Sequence, residues 1–123
     1  MAVAVGDRAP DFTLKNADLE EVSLSALRGT NVVILFFPLA FTGVCTEEMC
    51  TVSGGIKAYK ELNTEVLGIS VDSPFSLQAW AEKEGITIPL LSDFNKEVSE
   101  AYGSQYEDLL GFRGVAKRSD FVV

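Results

Sequence analysis

The sequence predicts a single α/β domain, residues 1–123, in which helices flank a central mixed sheet. Two observations carry this prediction. Residues 31–37 and 65–71 are runs rich in β-branched and large apolar residues, which is typical of strands buried on both faces. Segments of helical character alternate with these strands along the chain. The length of 123 residues suffices for one core but is short for two.

The N-terminal third begins with a predicted β-hairpin. Its strands are residues 12–14 and 21–24, and they bracket the turn signal Asn-Ala-Asp at 16–18. Residues 25–29 resemble one helical turn closed by glycine. The buried strand 31–37 follows directly.

The remaining elements alternate between helix and strand. Helices are predicted for residues 46–62, 76–84 and 96–102, and the last two are followed by glycine. Strands are predicted for residues 65–71, 88–91 and 119–123. In the helix 76–84, Leu77, Trp80 and Ala81 form the apolar stripe, and we expect Trp80 to lie in the core or at a subunit contact.

Composition excludes several classes of function. The net charge of -8 would repel a phosphate backbone, and no cluster of basic residues offsets it, so we expect no nucleic-acid partner. The longest apolar stretch, residues 32–41, contains a proline and is too short to span a bilayer. The N-terminus lacks the pattern of a signal peptide, and the chain has only two cysteines, which favours a reducing, cytoplasmic compartment.

Histidine is absent from the chain. This excludes Ser–His and Cys–His catalytic pairs and most transition-metal sites. Two cysteines without histidine are too few for a closed structural zinc site. Any cysteine chemistry must therefore be activated in another way.

The segment after the strand 31–37 is the first candidate for a site, because function in α/β sheets lies beyond the carboxyl ends of the strands. Cys45 stands there at the start of the predicted helix 46–62. A helix N-terminus carries partial positive charge and free N–H donors, and both favour the nucleophilic thiolate. Pro38 stiffens the turn, and Thr42 offers a hydroxyl group to the sulfur or to a substrate oxygen.

Pro38, Thr42 and Cys45 match the P-x-x-x-[TS]-x-x-C signature of the peroxiredoxins, and the chain resembles that family over nearly its full length. The matching segments are GDRAPDFTL (6–14), FFPLAFTGVCTEE (36–48), SVDSPFSLQAWA (70–81), PLLSDFNKEVSEAYG (89–103) and KRSDFVV (117–123). The chain most resembles the AhpE-like branch, while the spacing of Cys45 and Cys50 is similar to that of the PrxQ (bacterioferritin comigratory protein) branch.

The resemblance implies a thioredoxin-like fold that ends with a hairpin partner strand and a helix after the strand 119–123. No residues remain for these two elements, so we expect the C-terminal edge to be the weak point of the domain. The family resemblance also implies a homodimer.

The resemblance further implies a thiol peroxidase. Cys45 would attack a hydroperoxide, Thr42 and the Cys45 N–H group would hold the peroxide oxygens, Arg118 would stabilise the charge, and Glu48 would orient Arg118. Cys50 would resolve the sulfenic acid as a disulfide, which thioredoxin or a similar dithiol protein would reduce. The pocket would be kept dry by Phe37, Leu39, Phe41 and Val44. No metal, haem, flavin or nicotinamide would be required.

Other interpretations remain for these residues and for the whole chain. Cys50 could be a packing residue, Arg118 a solvated charge at a strand end, and Glu48 an acid favoured by the helix dipole. A thioredoxin-like disulfide reductase is disfavoured, because such proteins use C-x-x-C and this chain has C-x-x-x-x-C. A non-enzymatic redox sensor would use the same sulfenic acid, and only the rate of the reaction with peroxide separates it from a peroxidase.

Overall fold

The structure, a computed structural model, describes residues 9–27, 30–37, 39–40, 55, 64–105, 114, 116–117 and 119–122. The strands within these ranges are β1 (Thr13–Asn16), β2 (Glu21–Ser23), β3 (Asn31–Phe36), β4 (Thr64–Ser70), β5 (Leu90–Ser92) and β6 (Ser119–Val122). The helices are a 3-10 turn (Leu24–Leu27), α1 (Pro74–Glu84) and α2 (Glu97–Ala101). The strands form one sheet in the order β2-β1-β5-β4-β3-β6.

The centre of the sheet is parallel and its borders are antiparallel. β3 and β4 run parallel from Asn31 opposite Thr64 to Phe36 opposite Ile69, and β4 runs parallel to β5. β1 is antiparallel to β2 and β5, and β6 is antiparallel to β3. The predicted mixed sheet and the N-terminal hairpin are confirmed, and the carboxyl ends of β3, β4 and β5 meet at one edge.

The hairpin turn is organised by the side chain of Asn16. Its Oδ1 accepts hydrogen bonds from the main-chain N atoms of Asp18 and Glu20, both at 2.9 Å. Leu19 takes the left-handed conformation with φ 64°. An asparagine side chain that bonds to the backbone two residues on is a common turn former, which explains why the turn signal in the sequence was informative.

Helix α1 begins earlier than its apolar pattern predicts. The Ser73 side chain accepts a hydrogen bond from Ser76 N at 3.2 Å, and Pro74 occupies the first turn, where its missing N–H group costs nothing. Gly85 closes the helix in the left-handed conformation, as the sequence predicts.

The starts of β5 and α2 also differ from the prediction. β5 begins at Leu90 rather than at residue 88, because β5 has neighbours on both sides and Pro89 lacks the N–H group that a ladder requires. α2 begins at Glu97, because Lys96 lies in the left-handed conformation with φ 66°. Its first turn is capped by the buried carboxylate of Asp93, which accepts hydrogen bonds from Val98 N and Ser99 N at 3.1 and 2.7 Å.

Apolar side chains cover both faces of the sheet. On one face α1 packs through Leu77 and Trp80, both fully buried, against a cluster completed by Leu35, Phe37, Ala40, Val66, Ile86, Ile88 and Leu90. On the other face α2 and the residue that ends it contribute Val98 and Tyr102 to a cluster with Phe12, Leu24, Val32, Ile34, Phe36, Leu67, Ile69, Leu91 and Ala116. The prediction of helices on both faces is therefore confirmed, and Trp80 lies in the core.

Two sequence predictions fall outside the described residues. The predicted helix 46–62 lies there except for residue 55, and so does Val123 at the end of the last strand. Among the described strands, β6 pairs only with β3 and forms one edge of the sheet. The predicted lack of a hairpin partner and closing helix stays a prediction.

Candidate active site

The candidate segment leaves the sheet where the parallel strands end. Of the predicted site residues, Phe37 and Leu39 are described. The others lie outside the described residues: Pro38, Phe41, Thr42, Val44, Cys45, Glu48, Cys50 and Arg118. The structure therefore describes the strand ends from which this segment departs and the residues that are bonded to them.

Phe37 lies in the core directly after the last residue of β3. Its side chain is fully buried, and its ring centroid lies 5.2 Å from that of Trp80. Its main-chain N atom donates a hydrogen bond to Ile69 O at 3.0 Å, which extends the pairing of β3 with β4 by one residue. Leu39 is half-buried. Phe37 thus fixes the direction in which the chain leaves β3.

Asp72, just after β4, holds the chain at Ala40. Its Oδ2 atom accepts a hydrogen bond from Ala40 N at 2.7 Å and another from Ser70 Oγ at 2.6 Å. The Ser70 hydroxyl oxygen in turn accepts from Asp72 N at 3.2 Å. The last described residue before Cys45 is thereby bonded to the end of the neighbouring strand.

The ends of β4 and β5 are also bonded to each other. Ser92 Oγ donates to Asp72 O at 2.6 Å, and Asp93 N donates to Ser70 O at 2.7 Å. Ser70, Ser92 and Asp93 are buried, with 0%, 6% and 1% of their surfaces exposed. Buried polar groups are costly unless they are paired. The hydroxyl groups of Ser70 and Ser92 are both bonded to Asp72, and the Asp93 carboxylate accepts from the first turn of α2.

The residues on both sides of Arg118 are bonded to Ser104, which follows α2. Lys117 N donates to Ser104 O at 2.8 Å, and Ser104 Oγ donates to Lys117 O at 3.1 Å. The hydroxyl groups of Ser104 and Ser119 also form a hydrogen bond. Ser119 pairs with Phe36 at the carboxyl end of β3. The topology therefore brings the chain next to Arg118 to the edge from which the Cys45 segment leaves.

Comparison with known proteins decides the family. The AhpC/TSA family model matches residues 5–123. The chain is 42% identical to alkyl hydroperoxide reductase E of Mycobacterium tuberculosis over 122 residues, which is 97% of this chain and 77% of the relative. It is also 42% identical over 134 aligned residues to a chloroplastic 2-cysteine peroxiredoxin of Chattonella marina var. antiqua, covering 100% of this chain and 66% of that protein.

The chain belongs to the AhpC/TSA family.

Solved structures agree with this assignment. The crystal structure of the peroxidoxin BcpB from Mycobacterium tuberculosis superimposes with a TM-score of 0.87 at 34% identity, covering 96% of this chain and 77% of that one. The mixed sheet with its flanking helices is therefore the thioredoxin-like fold of this family, and the resemblance to peroxiredoxins is confirmed.

Sequence reasoning did not identify Asp72, Ser70 and Ser104 as residues that hold the chain near the candidate site. Ser70 is the last residue of the buried strand β4, and Asp72 lies two residues further on. Polar residues at a strand end are the signal that could have drawn attention, since they often hold loops. Nothing in the sequence shows that the partner of Asp72 is a main-chain N–H group 32 residues away.

The described residues contain no group of three or more histidine, cysteine, aspartate or glutamate side chains that could hold a metal ion. No helix in this part of the chain has the length and apolar character needed to cross a membrane.

Proposed function

We propose that this chain is a thiol-dependent peroxidase that reduces hydrogen peroxide or organic hydroperoxides through Cys45. The observation that carries the proposal is the signature Pro38, Thr42, Cys45 in a member of the AhpC/TSA family, directly after the strand whose end the structure describes. The bonded ends of β4 and β5 support it, because they give this segment a rigid base.

In the first step the Cys45 thiolate attacks one oxygen of the hydroperoxide. The S–O bond forms as the O–O bond breaks, the leaving oxygen takes a proton and departs as an alcohol or water, and Cys45 becomes a sulfenic acid. Thr42 and the Cys45 N–H group hold the two oxygens in line, and Pro38 keeps the turn rigid.

Arg118 stabilises the thiolate and the charge that develops on the leaving oxygen. Glu48 orients the guanidinium group by a paired hydrogen bond. The pocket is kept dry by Phe37, Leu39, Phe41 and Val44, which strengthens these interactions. The pairing of Ser119 with Phe36 and the bonds of Ser104 to Lys117 and Ser119 support the role of Arg118.

In the second step the Cys50 thiol attacks the sulfenic sulfur of Cys45. A disulfide forms, and water leaves with the hydroxyl group of the sulfenic acid and the proton of the thiol. A dithiol protein such as thioredoxin then reduces the disulfide by thiol–disulfide exchange and becomes oxidised itself. We further propose that the chain acts as a homodimer in the cytoplasm, which sedimentation of the reduced protein and fractionation of cells would test.

Trapping of the intermediate tests the assignment of the two cysteines. One equivalent of hydrogen peroxide is added to the reduced parent, Cys45→Ser and Cys50→Ser proteins, followed by dimedone and mass spectrometry. We expect a dimedone adduct on Cys45 in Cys50→Ser, a disulfide in the parent and unconsumed peroxide with Cys45→Ser. Peroxide consumption by Cys45→Ser that matches the parent would reverse the assignment.

A further inference from the structure

We infer that Asp72 is a positioning residue for the reaction of Cys45: its carboxylate holds the main chain at Ala40 and so fixes where the segment that carries Cys45 begins. The inference rests on the proposed function and extends it to a residue that takes no part in the chemical steps above. Asp72 lies after β4, and Cys45 lies in the segment that follows β3.

The hydrogen bond from Ala40 N to the Asp72 carboxylate is short and largely shielded from water. Ala40 N and Ser70 Oγ both donate to the same carboxylate oxygen, at 2.7 and 2.6 Å. Ala40 is only 8% exposed, so its N–H group would be left without a partner if the carboxylate were removed.

The carboxylate is itself fixed to the sheet. Asp72 N donates to Ser70 Oγ, and Ser92 Oγ donates to Asp72 O at 2.6 Å. Ser70 and Ser92 are the last residues of β4 and β5, and both are buried. Ala40 is therefore bonded to two strand ends through one residue, rather than to another loop.

The distance along the chain makes the effect on Cys45 direct. Cys45 is the fifth residue after Ala40. A displacement of Ala40 therefore shifts the point from which residues 41–44 lead to Cys45. Misplacement of a reacting group by about 1 Å can cost roughly 100-fold in rate. We therefore expect the loss of this bond to slow the reaction of Cys45 while the fold survives.

Three variants in the Cys50→Ser background, where Cys45 is the only cysteine, separate the possible roles. Asp72→Ala removes the acceptor. Asp72→Asn keeps a side-chain oxygen that can accept from Ala40 N but removes the charge. Ser73→Ala is the matched control, because it deletes the N-cap of α1 one residue away and its hydroxyl contacts Ser76 rather than Ala40.

The readouts are the second-order rate constant with hydrogen peroxide, the pKa of Cys45 from the pH dependence of alkylation, and hydrogen exchange at the Ala40 amide. We expect Asp72→Ala to react about 10-fold to 100-fold more slowly, with faster exchange at the Ala40 amide. Loss of the negative charge alone would instead lower the Cys45 pKa. Asp72→Asn and Ser73→Ala should stay within about threefold of the background in rate, because both leave an acceptor for Ala40 N.

Three results would overturn the inference. They are an Asp72→Ala rate within about twofold of the background, an Asp72→Asn rate as low as that of Asp72→Ala, or an equal loss in Ser73→Ala. The second would assign the effect to charge and the third to general stability. Failure of the proposed function looks different, since peroxide consumption would then persist in Cys45→Ser while exchange at Ala40 would still report the bond to Asp72.

Discussion

Tyr102 joins distant parts of the chain through both its hydroxyl group and its ring. The hydroxyl donates to Pro10 O at 2.8 Å, and the ring centroid lies 5.5 Å from that of Phe36 and 5.2 Å from that of Phe121. Only 1% of the residue is exposed. Burial, with a smaller contribution from the negative charge of Asp11, raises the pKa of Tyr102 from 10.0 to about 12.

This raised pKa predicts a loss of stability in base. The unfolded chain releases the Tyr102 proton near pH 10, whereas the folded protein holds it to about pH 12, so the stabilisation present below pH 10 disappears between these values. The loss should be on the order of 1 to 2 kcal/mol in the free energy of unfolding. Urea unfolding of the parent and of Tyr102→Phe at pH 8 to about 11.5 measures it. Parallel pH dependences in the two proteins would show that Tyr102 contributes nothing.

Ser104, in the connection between α2 and β6, is expected to affect the rate with peroxide through Arg118. Ser104 bonds to Lys117 and Ser119, the two neighbours of Arg118, and is 2% exposed. Ser104→Ala should loosen Arg118 and lower the rate with peroxide by up to about tenfold, while the hydrogen bonds lost cost about 1 kcal/mol of stability.

Ser99→Ala is the control for this variant. Ser99 is also buried, but its hydroxyl donates to Lys96 O and accepts from Gln105 Nε2. Stopped-flow rates and urea unfolding of both variants separate the two effects. Equal rates in Ser104→Ala and Ser99→Ala would mean that Ser104 has no special connection to Arg118.

The predicted helix 46–62 should unwind near its start when the disulfide forms. In a regular helix, residues five apart have Cα atoms about 8 to 9 Å apart and point about 140° apart. A disulfide requires Cα atoms roughly 4.4 to 6.8 Å apart. Circular dichroism should therefore show a loss of helix when stoichiometric peroxide forms the Cys45–Cys50 bond, and no loss in Cys50→Ser. An unchanged spectrum with the disulfide confirmed by mass spectrometry would contradict this.

The elements show what could be predicted from sequence and what could not. The strands β3 and β4 were predictable within one residue at each end, because strands buried on both faces are nearly continuous runs of apolar residues. The start of β5 was missed because the apolar run continues through Pro89, which cannot donate to the ladder. The candidate cysteine followed from the motif, but the role of Asp72 did not, because its bond to Ala40 exists only after β3 and β4 have paired.

The parallel centre of the sheet is the reason why we expect the candidate site at one edge of the molecule. The carboxyl ends of β3, β4 and β5 meet there, and the antiparallel β6 begins there, with Ser119 opposite Phe36. Core clusters on both faces hold the strands in this arrangement. We therefore expect Cys45 and Arg118, which are far apart in sequence, to lie near each other at this edge.

The rate at which the reduced protein reacts with peroxide shows directly whether Cys45 is an activated nucleophile. Stopped-flow measurements with hydrogen peroxide and an organic hydroperoxide should give the parent and Cys50→Ser similar rates in the first step, on the order of 100-fold or more above a free thiol. Cys45→Ser should show no reaction above that of a free thiol. A parent rate equal to that of a free thiol, or full reactivity retained in Cys45→Ser, would contradict the proposal that Cys45 is the nucleophile of a peroxidase.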